Sequence, residues 1–368
     1  MTDQTPDTTR PSGTRPDEPP VDYPGVRDEA GPPVPLSRRL RDPRTIVSLV
    51  LPLALILLIA VTVGNFNFDE LLRSVANADL LLLAVAFVVY YLGFPLRGYR
   101  WTVLLRGTGA RVGIRDSTEI IFISWLVNCL VPAKLGDVYR AYLLRMNFAV
   151  SLSRTFGTVF IERVFDLFAI VLLGLAAGFW SFRSGLSPEV QIVFGLGVAI
   201  VVALAFGLFL VRNFGSRIVR RLPLPSKIVE FYDRFEEGVF SIEARRVPLL
   251  GVVTAAIWAS EAFRLYIVAQ AMPFDIHMGI SGAVFTALIA SLLTAIPFTP
   301  AGLGIVELGI VGILTLLYGA TPEQAGAIAL IDRTISVISI IILGGIAYVV
   351  SPKTKGGGPR EAAETRPV

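Results

Sequence analysis

The chain has 368 residues, of which 54% are hydrophobic and 17% charged, with a formal net charge of +4 and a mean hydropathy of +0.66. That is too apolar for a soluble domain of this length and indicates a polytopic membrane protein. One Cys (Cys129) and one His (His277) exclude a disulfide framework, a thiolate zinc site and a Cys/His dyad that would need them close together.

Residues 1–44 hold ten prolines among mixed charges and have no apolar period, which predicts a disordered tail. The run 45–64 follows this polar leader, lacks a small-x-small cleavage site and reads as a retained anchor helix. Further apolar runs at 79–96, 155–180, 189–211, 247–271 and 324–350 are long enough to cross about 30 Å of hydrocarbon, giving six full crossings. Two more stretches are interrupted: 117–131 stops at Pro132, and 280–318 is cut by Pro297 to Gly304. Proline removes a backbone donor and glycine loosens the chain, so each predicts a re-entrant pair of half-helices. The expected fold is therefore all-α, with six full transmembrane helices and two re-entrant hairpins.

Between them, the loop 213–246 carries Ile228, Phe231, Tyr232, Phe235, Val239 and Ile242 at helical spacing, the pattern of an amphipathic interfacial helix. It reads either as a surface prop or, through Arg217, Arg220 and Arg221, as a contact to anionic lipid. The tail 351–368 is short, polar and Gly-rich and is expected to be disordered. Basic residues gather before the first span, around the first broken segment, in 213–246 and after the last span, whereas the opposite connections hold only Arg73 and Arg183. By the positive-inside rule the basic side, with both termini, is cytoplasmic in a cell membrane.

Three patterns recur in order. Arg97-Gly98-Tyr99 returns as Arg264-Leu265-Tyr266, Pro132-Ala133-Lys134-Leu135-Gly136 as Pro300-Ala301-Gly302-Leu303-Gly304, and Glu162-Arg163 as Asp332-Arg333, at offsets of 167, 168 and 170. The expected topology puts the copies in opposite directions, so the duplication is inverted, with repeat one at about 79–180 and repeat two at about 247–350.

Intramembrane charges supply candidate chemistry. Glu162, Arg163 and Asp166 sit in one span, Glu261 and Arg264 in another, Asp332 and Arg333 in the last, with Glu307 just after the second turn. At roughly 2.5 to 3.5 kcal/mol each near the bilayer centre, they should face the protein interior. There they serve as structural ion pairs or as part of a substrate path. The half-helices beginning after Gly136 and Gly304 would point unpaired N–H groups at an anionic phosphate. Lys134 strengthens one copy where the other has Gly302, and Arg97, Arg100, Asp137 and Arg140 lie near the first turn, Pro300 at the second. These seventeen residues form the candidate substrate site. No catalytic or metal-binding set, nucleotide-binding loop or cofactor is expected.

On the residues Arg97 to Trp101, Asn128 to Arg140 (NCLVPAKLGDVYR), Glu162-Arg163-x-x-Asp166, Pro297 to Glu307 (PFTPAGLGIVE) and Arg333, the chain resembles the integral membrane region of lysylphosphatidylglycerol synthases and related stand-alone flippase-like proteins. The likeness covers roughly 45–350; Asp137 stands where that family often has Glu, and Ala301 where it often has Gly. The resemblance implies a domain that moves a polar-headed lipid between leaflets. Eighteen residues follow the last span, so lysyl transfer is not expected. The chain reads as an ATP-independent lipid flippase or scramblase-like protein, not itself an enzyme. Its expected partners are anionic or phosphate-bearing membrane lipids and a lipid-synthesis enzyme, with no nucleic acid. The rival reading is an enzyme or accessory protein of phospholipid, glycolipid or polyprenyl-phosphate metabolism.

Overall fold

A computed structural model of the chain describes residues 67–181, 188–294 and 299–355. The expected tail 1–44, the run 45–64, Pro297 and residues 356–368 lie outside the described residues. Among those described, every regular element is helical: α1 (Phe68–Ala76), α2 (Leu80–Gly107), α3 (Ile114–Leu130), α4 (Leu135–Phe148), α5 (Leu152–Ser181), α6 (Pro188–Arg221), α7 (Ser226–Val239), α8 (Val247–Gln270), α9 (Ile280–Leu293), α10 (Ile305–Tyr318), α11 (Pro322–Arg333) and α12 (Ser339–Val350), with a π segment at Thr334–Ile338. Among the described residues, five stretches are long and apolar enough to cross a membrane: Leu80–Gly107, Phe194–Arg221, Ala244–Gln270, Pro300–Tyr318 and Pro322–Val350. The helix α5 has comparable length but carries Arg154, Glu162, Arg163 and Asp166.

The expected span 79–96 ends just before Arg97, whereas α2 continues to Gly107. Arg97 and Arg100 are buried and ion-paired inside the protein, so they do not interrupt the helix. Asp79 starts it, its carboxylate accepting from Leu81 and Leu82 N–H at 2.8 and 3.1 Å. The connection 65–78, to which the sequence assigned no element, contains α1, whose Asn67 cap accepts from Glu70 N–H. The last expected span is α11, the π segment and α12 in series. Thr321 and Gln324 close a capping box at its start, at 3.2 and 3.1 Å.

The helices α2 and α8 pack along each other at the centre. The pair α3–α4 packs back to back, as does α9–α10; α5 lies against α7 and α9, and α12 against α3. Close approach is set by small residues. A Cβ on Gly98 would sit 2.0 Å from the Thr118 hydroxyl, and one on Gly136 2.0 Å from the Ser124 carbonyl oxygen. The helix α7 docks on α5 where Gly157 and Gly238 meet, and Arg154 pairs with Glu237 at 2.7 Å. Its Ile228 and Phe231 remain exposed.

The 351–368 tail is corrected in part: Ser351 to Lys355 are folded. Lys353, 6% exposed, pairs with Asp116 at 2.8 Å and with Glu119 of α3, and its carbonyl accepts from Asn147. Two carboxylates facing one ammonium at the end of α12 hold this segment against the bundle.

Candidate functional site

Glu162, Arg163 and Asp166 of α5 lie inside the bundle, Glu162 and Asp166 among arginines from neighbouring helices. Arg100 from α2 meets Asp166 at 2.6 Å and Glu162 at 3.1 Å, and donates to the Thr254 hydroxyl at 3.0 Å. Arg140 from α4 reaches Glu162 at 3.2 Å with its guanidinium 4.6 Å from the Trp101 ring centroid. Arg163 makes a two-pronged contact to Asp137, Nη2 to Oδ1 at 2.7 Å and Nε to Oδ2 at 3.2 Å, and touches Asp166 at 3.4 Å. Trp258 on α8 donates its indole N–H to Asp166 at 3.0 Å.

A second network occupies the other half. Arg97 meets Glu261 at 2.6 Å; Arg264 reaches Glu261 at 3.3 Å and Asp332 at 3.2 Å and lies over Tyr90. Arg333 donates to Glu307 at 2.7 Å and to the Ala301 carbonyl at 2.6 Å, while the other Glu307 oxygen accepts from Gly304 N–H at 2.6 Å. The pairs Arg163–Asp137 and Arg333–Glu307 both bridge 26 residues. The turns also match: Ala133 and Lys134 have φ of 62° and 52°, Ala301 and Gly302 50° and 69°, and Gly304 89°. Alanine and lysine in this left-handed region carry a cost of order 1 kcal/mol each, which only a strongly determined surrounding sustains.

The two turns face one cavity of about 300 Å³. Of the candidate residues, Arg97, Arg100, Lys134, Asp137, Glu162, Arg163, Asp166, Gly302 and Arg333 line it. Gly136, Arg140, Glu261, Arg264, Pro300, Gly304, Glu307 and Asp332 do not. They form the pairs, turns and close contacts behind the wall. The basic residues expected near the first turn are held in ion pairs. Arg97, Arg100 and Arg140 are buried and matched by carboxylates, because an unpaired charge at this depth would cost several kcal/mol. The expected open helix starts are corrected. Gly136 N–H is taken by the Asn128 side chain at 2.8 Å and Gly304 N–H by Glu307.

Residues outside the candidate set complete the wall: Trp125, Asn128, Trp258, Ser291, Thr294, Thr299 and Ser336. Trp125 lies under the Arg97 guanidinium at 4.7 Å. Ser336 was findable, since it stands three residues after Arg333 as Asp166 stands three after Arg163. The tryptophans and hydroxyls carry no such signal in an apolar helix.

A family model described as lysylphosphatidylglycerol synthase TM region matches residues 45–344. A UPF0104 membrane protein of Methanocaldococcus jannaschii is 37% identical over 226 residues, 61% of this chain and 93% of that protein. Another, from Methanothermobacter thermautotrophicus, is 26% identical over 311 residues, 79% of this chain and 90% of its own length. Glycosyltransferase AglD of Haloferax volcanii is 27% identical over 319 residues, 77% of this chain and 51% of the glycosyltransferase. This last similarity corrects the expectation that the chain is no enzyme, since most of its length is shared with a protein named for catalysis. The apolar helices and the extent of the match make the chain a multi-pass membrane protein that belongs to the lysylphosphatidylglycerol synthase TM region family.

Proposed function

We propose that this chain moves a phosphate-bearing or otherwise polar-headed lipid between the leaflets of the cell membrane, as a flippase or scramblase that hydrolyses no ATP. The observation that carries this reading is the single cavity shared by the two Pro-Ala turns, with Lys134 on one side and Ala301-Gly302 on the other. In this reading α3–α4 and α9–α10 are re-entrant hairpins entering from opposite faces, and six helices, 45–64 included, cross fully. Both termini are cytoplasmic, and 79–180 and 247–350 are inverted repeats. The matching 26-residue ion pairs and the matching left-handed turns support the duplication. A structure with equivalent turns toward each leaflet suits a head group that passes between them while the acyl chains stay in lipid. The cavity-lining charges would meet the head group, and the pairs behind them would hold the frame.

A second reading is favoured by the glycosyltransferase relative. Here the membrane region holds a lipid for chemistry carried out by this chain or by a lipid-synthesis enzyme bound to it. Reconstitution separates the two. The purified chain alone, in liposomes with acyl-labelled lipids of several head groups, should expose inner-leaflet label to an external quencher without ATP, and Arg163→Ala should abolish this in protein that still elutes as a folded species. Full protection of inner-leaflet label for every head group would refute movement by this chain.

A further inference from the structure

We propose that the end of α6 and the adjoining face of α7 form a docking surface for an anionic lipid leaflet, an assignment independent of what the cavity binds. Reach is the first argument. The helix α6 has 34 residues, about 51 Å of length at about 1.5 Å per residue, against about 30 Å of hydrocarbon. Its uncharged run 190–211 already fills that thickness. About ten further residues, roughly 15 Å of helix, therefore extend into the layer where lipid phosphates lie. Tyr232 of α7 rests on this projecting end, since a Cβ on Gly215 would come 1.9 Å from its hydroxyl oxygen.

The second argument is chemistry. Between Arg212 and Val229 the chain carries five cations, Arg212, Arg217, Arg220, Arg221 and Lys227, and no carboxylate. Arg220 is matched by Asp233 at 3.2 Å; the other four have no carboxylate partner among the described residues. Arg217 and Arg221 stand one turn apart, next to a row formed by Phe214 and Ile218, and all four side chains are exposed. On α7 the apolar face runs from Ile228 and Phe231 to Phe235 and Val239. Its later part packs on α5, whereas Ile228 and Phe231 are left exposed. At about 3.6 residues per turn, Glu230, Asp233 and Glu237 fall on the opposite side, so no acid interrupts this face. Water would suit the cations but not the apolar rows. An anionic leaflet suits both, taking the apolar side chains below its phosphates and the cations beside them. An acidic protein would match the charges as well, but the reach of α6 sets this surface against lipid. The clamp of α7 on α5, at Gly157–Gly238 and Arg154–Glu237, then ties the leaflet to the helix that carries Glu162, Arg163 and Asp166.

The experiment uses the purified full-length chain with Ser226→Cys, an exposed site two residues before Ile228, carrying a polarity-sensitive fluorophore; the buried Cys129 should stay unlabelled. The labelled chain is placed in nanodiscs of phosphatidylcholine alone, or of phosphatidylcholine mixed equally with phosphatidylglycerol, with and without lipid spin-labelled just below the head group. In the mixed discs the emission should move to shorter wavelength and the spin label should quench it, and high salt should reverse both. Each unpaired cation at an anionic surface is worth a factor of about five in the docked-to-free ratio. Arg217→Gln with Arg221→Gln should therefore lower that ratio about 25-fold, and Arg217→Lys with Arg221→Lys should keep it. Equal emission and quenching in the two kinds of disc would overturn the proposal, and that result needs no arginine variant to fold. So would a lack of quenching in both, the outcome expected of a surface that faces solvent or holds an acidic protein. Neither result bears on lipid movement, which the liposome assay reads separately.

Discussion

Arg333→Ala should destabilise the protein more than Arg163→Ala, although the two arginines occupy matching places. Arg333 holds three parts of the second turn together: it donates to Glu307 and to the Ala301 carbonyl, and Glu307 in turn accepts from Gly304 N–H. The Arg333 and Glu307 side chains are 12% and 17% exposed. Removing the guanidinium leaves a largely buried carboxylate and a carbonyl without their donor. Breaking a buried pair costs roughly 3 to 5 kcal/mol, and the surviving Gly304 contact puts this one near 3. Arg163 is 32% exposed, so solvent compensates part of its loss. Asp166 also keeps Arg100 and Trp258 when Arg163 is gone, so the cost there should be about 1 to 2 kcal/mol. At roughly 2 °C of Tm per kcal/mol for a chain of this size, Arg333→Ala should melt about 6 °C below wild type and Arg163→Ala about 2 to 4 °C below. The assay is thermal unfolding in detergent followed by tryptophan fluorescence. A double-mutant cycle with Glu307→Gln should return a coupling of about 1 to 2 kcal/mol. Equal melting of the two single variants, or zero coupling, would refute the clamp assigned to the second turn.

Ala133→Gly and Ala301→Gly should each raise stability by about 0.5 to 1 kcal/mol, because φ of 62° and 50° strains alanine more than the added chain entropy of glycine costs; a lower Tm for both would remove strain as the account of these turns. Gly136→Ala should cost about 1 to 3 kcal/mol by forcing α4 away from the Ser124 carbonyl, whereas Gly251→Ala, with open space at its Cβ, should be nearly silent. For topology, Asp275→Cys, on an exposed connection, should react with an impermeant thiol reagent from outside, and Ser226→Cys only after permeabilisation, with the buried Cys129 giving little background. Outside labelling at Ser226 would reverse the proposed orientation and with it the assignment of the two turns to leaflets.

Apolar run length, the Pro and Gly interruptions and the recurrence of three short patterns were enough to locate both turns and most of the long apolar helices among the described residues, because the hydrocarbon core imposes one solution on any long uncharged run: a hydrogen-bonded helix. Glu162, Arg163 and Asp166 could be assigned to the interior for the same reason, since lipid offers them no partner. Their partners could not be read this way. Which arginine meets which carboxylate depends on how α2, α4, α5 and α8 cross, and nothing in the sequence near Glu261 points to Arg97, 164 residues away. Run length also misjudged the end of α2, because it scores Arg97 and Arg100 as breaks whatever lies beside them; only the packed bundle supplies the carboxylates that let a charged helix continue through the interior. The tail after Val350 was misread likewise, its one buried lysine waiting on Asp116 and Glu119 from a helix more than 200 residues earlier. The local period thus determined where backbone can lie in a membrane, and the tertiary structure decided which charges neutralise each other and that Lys134 is left to face the cavity, because charge pairing acts through space over a few ångströms and takes no account of separation along the chain.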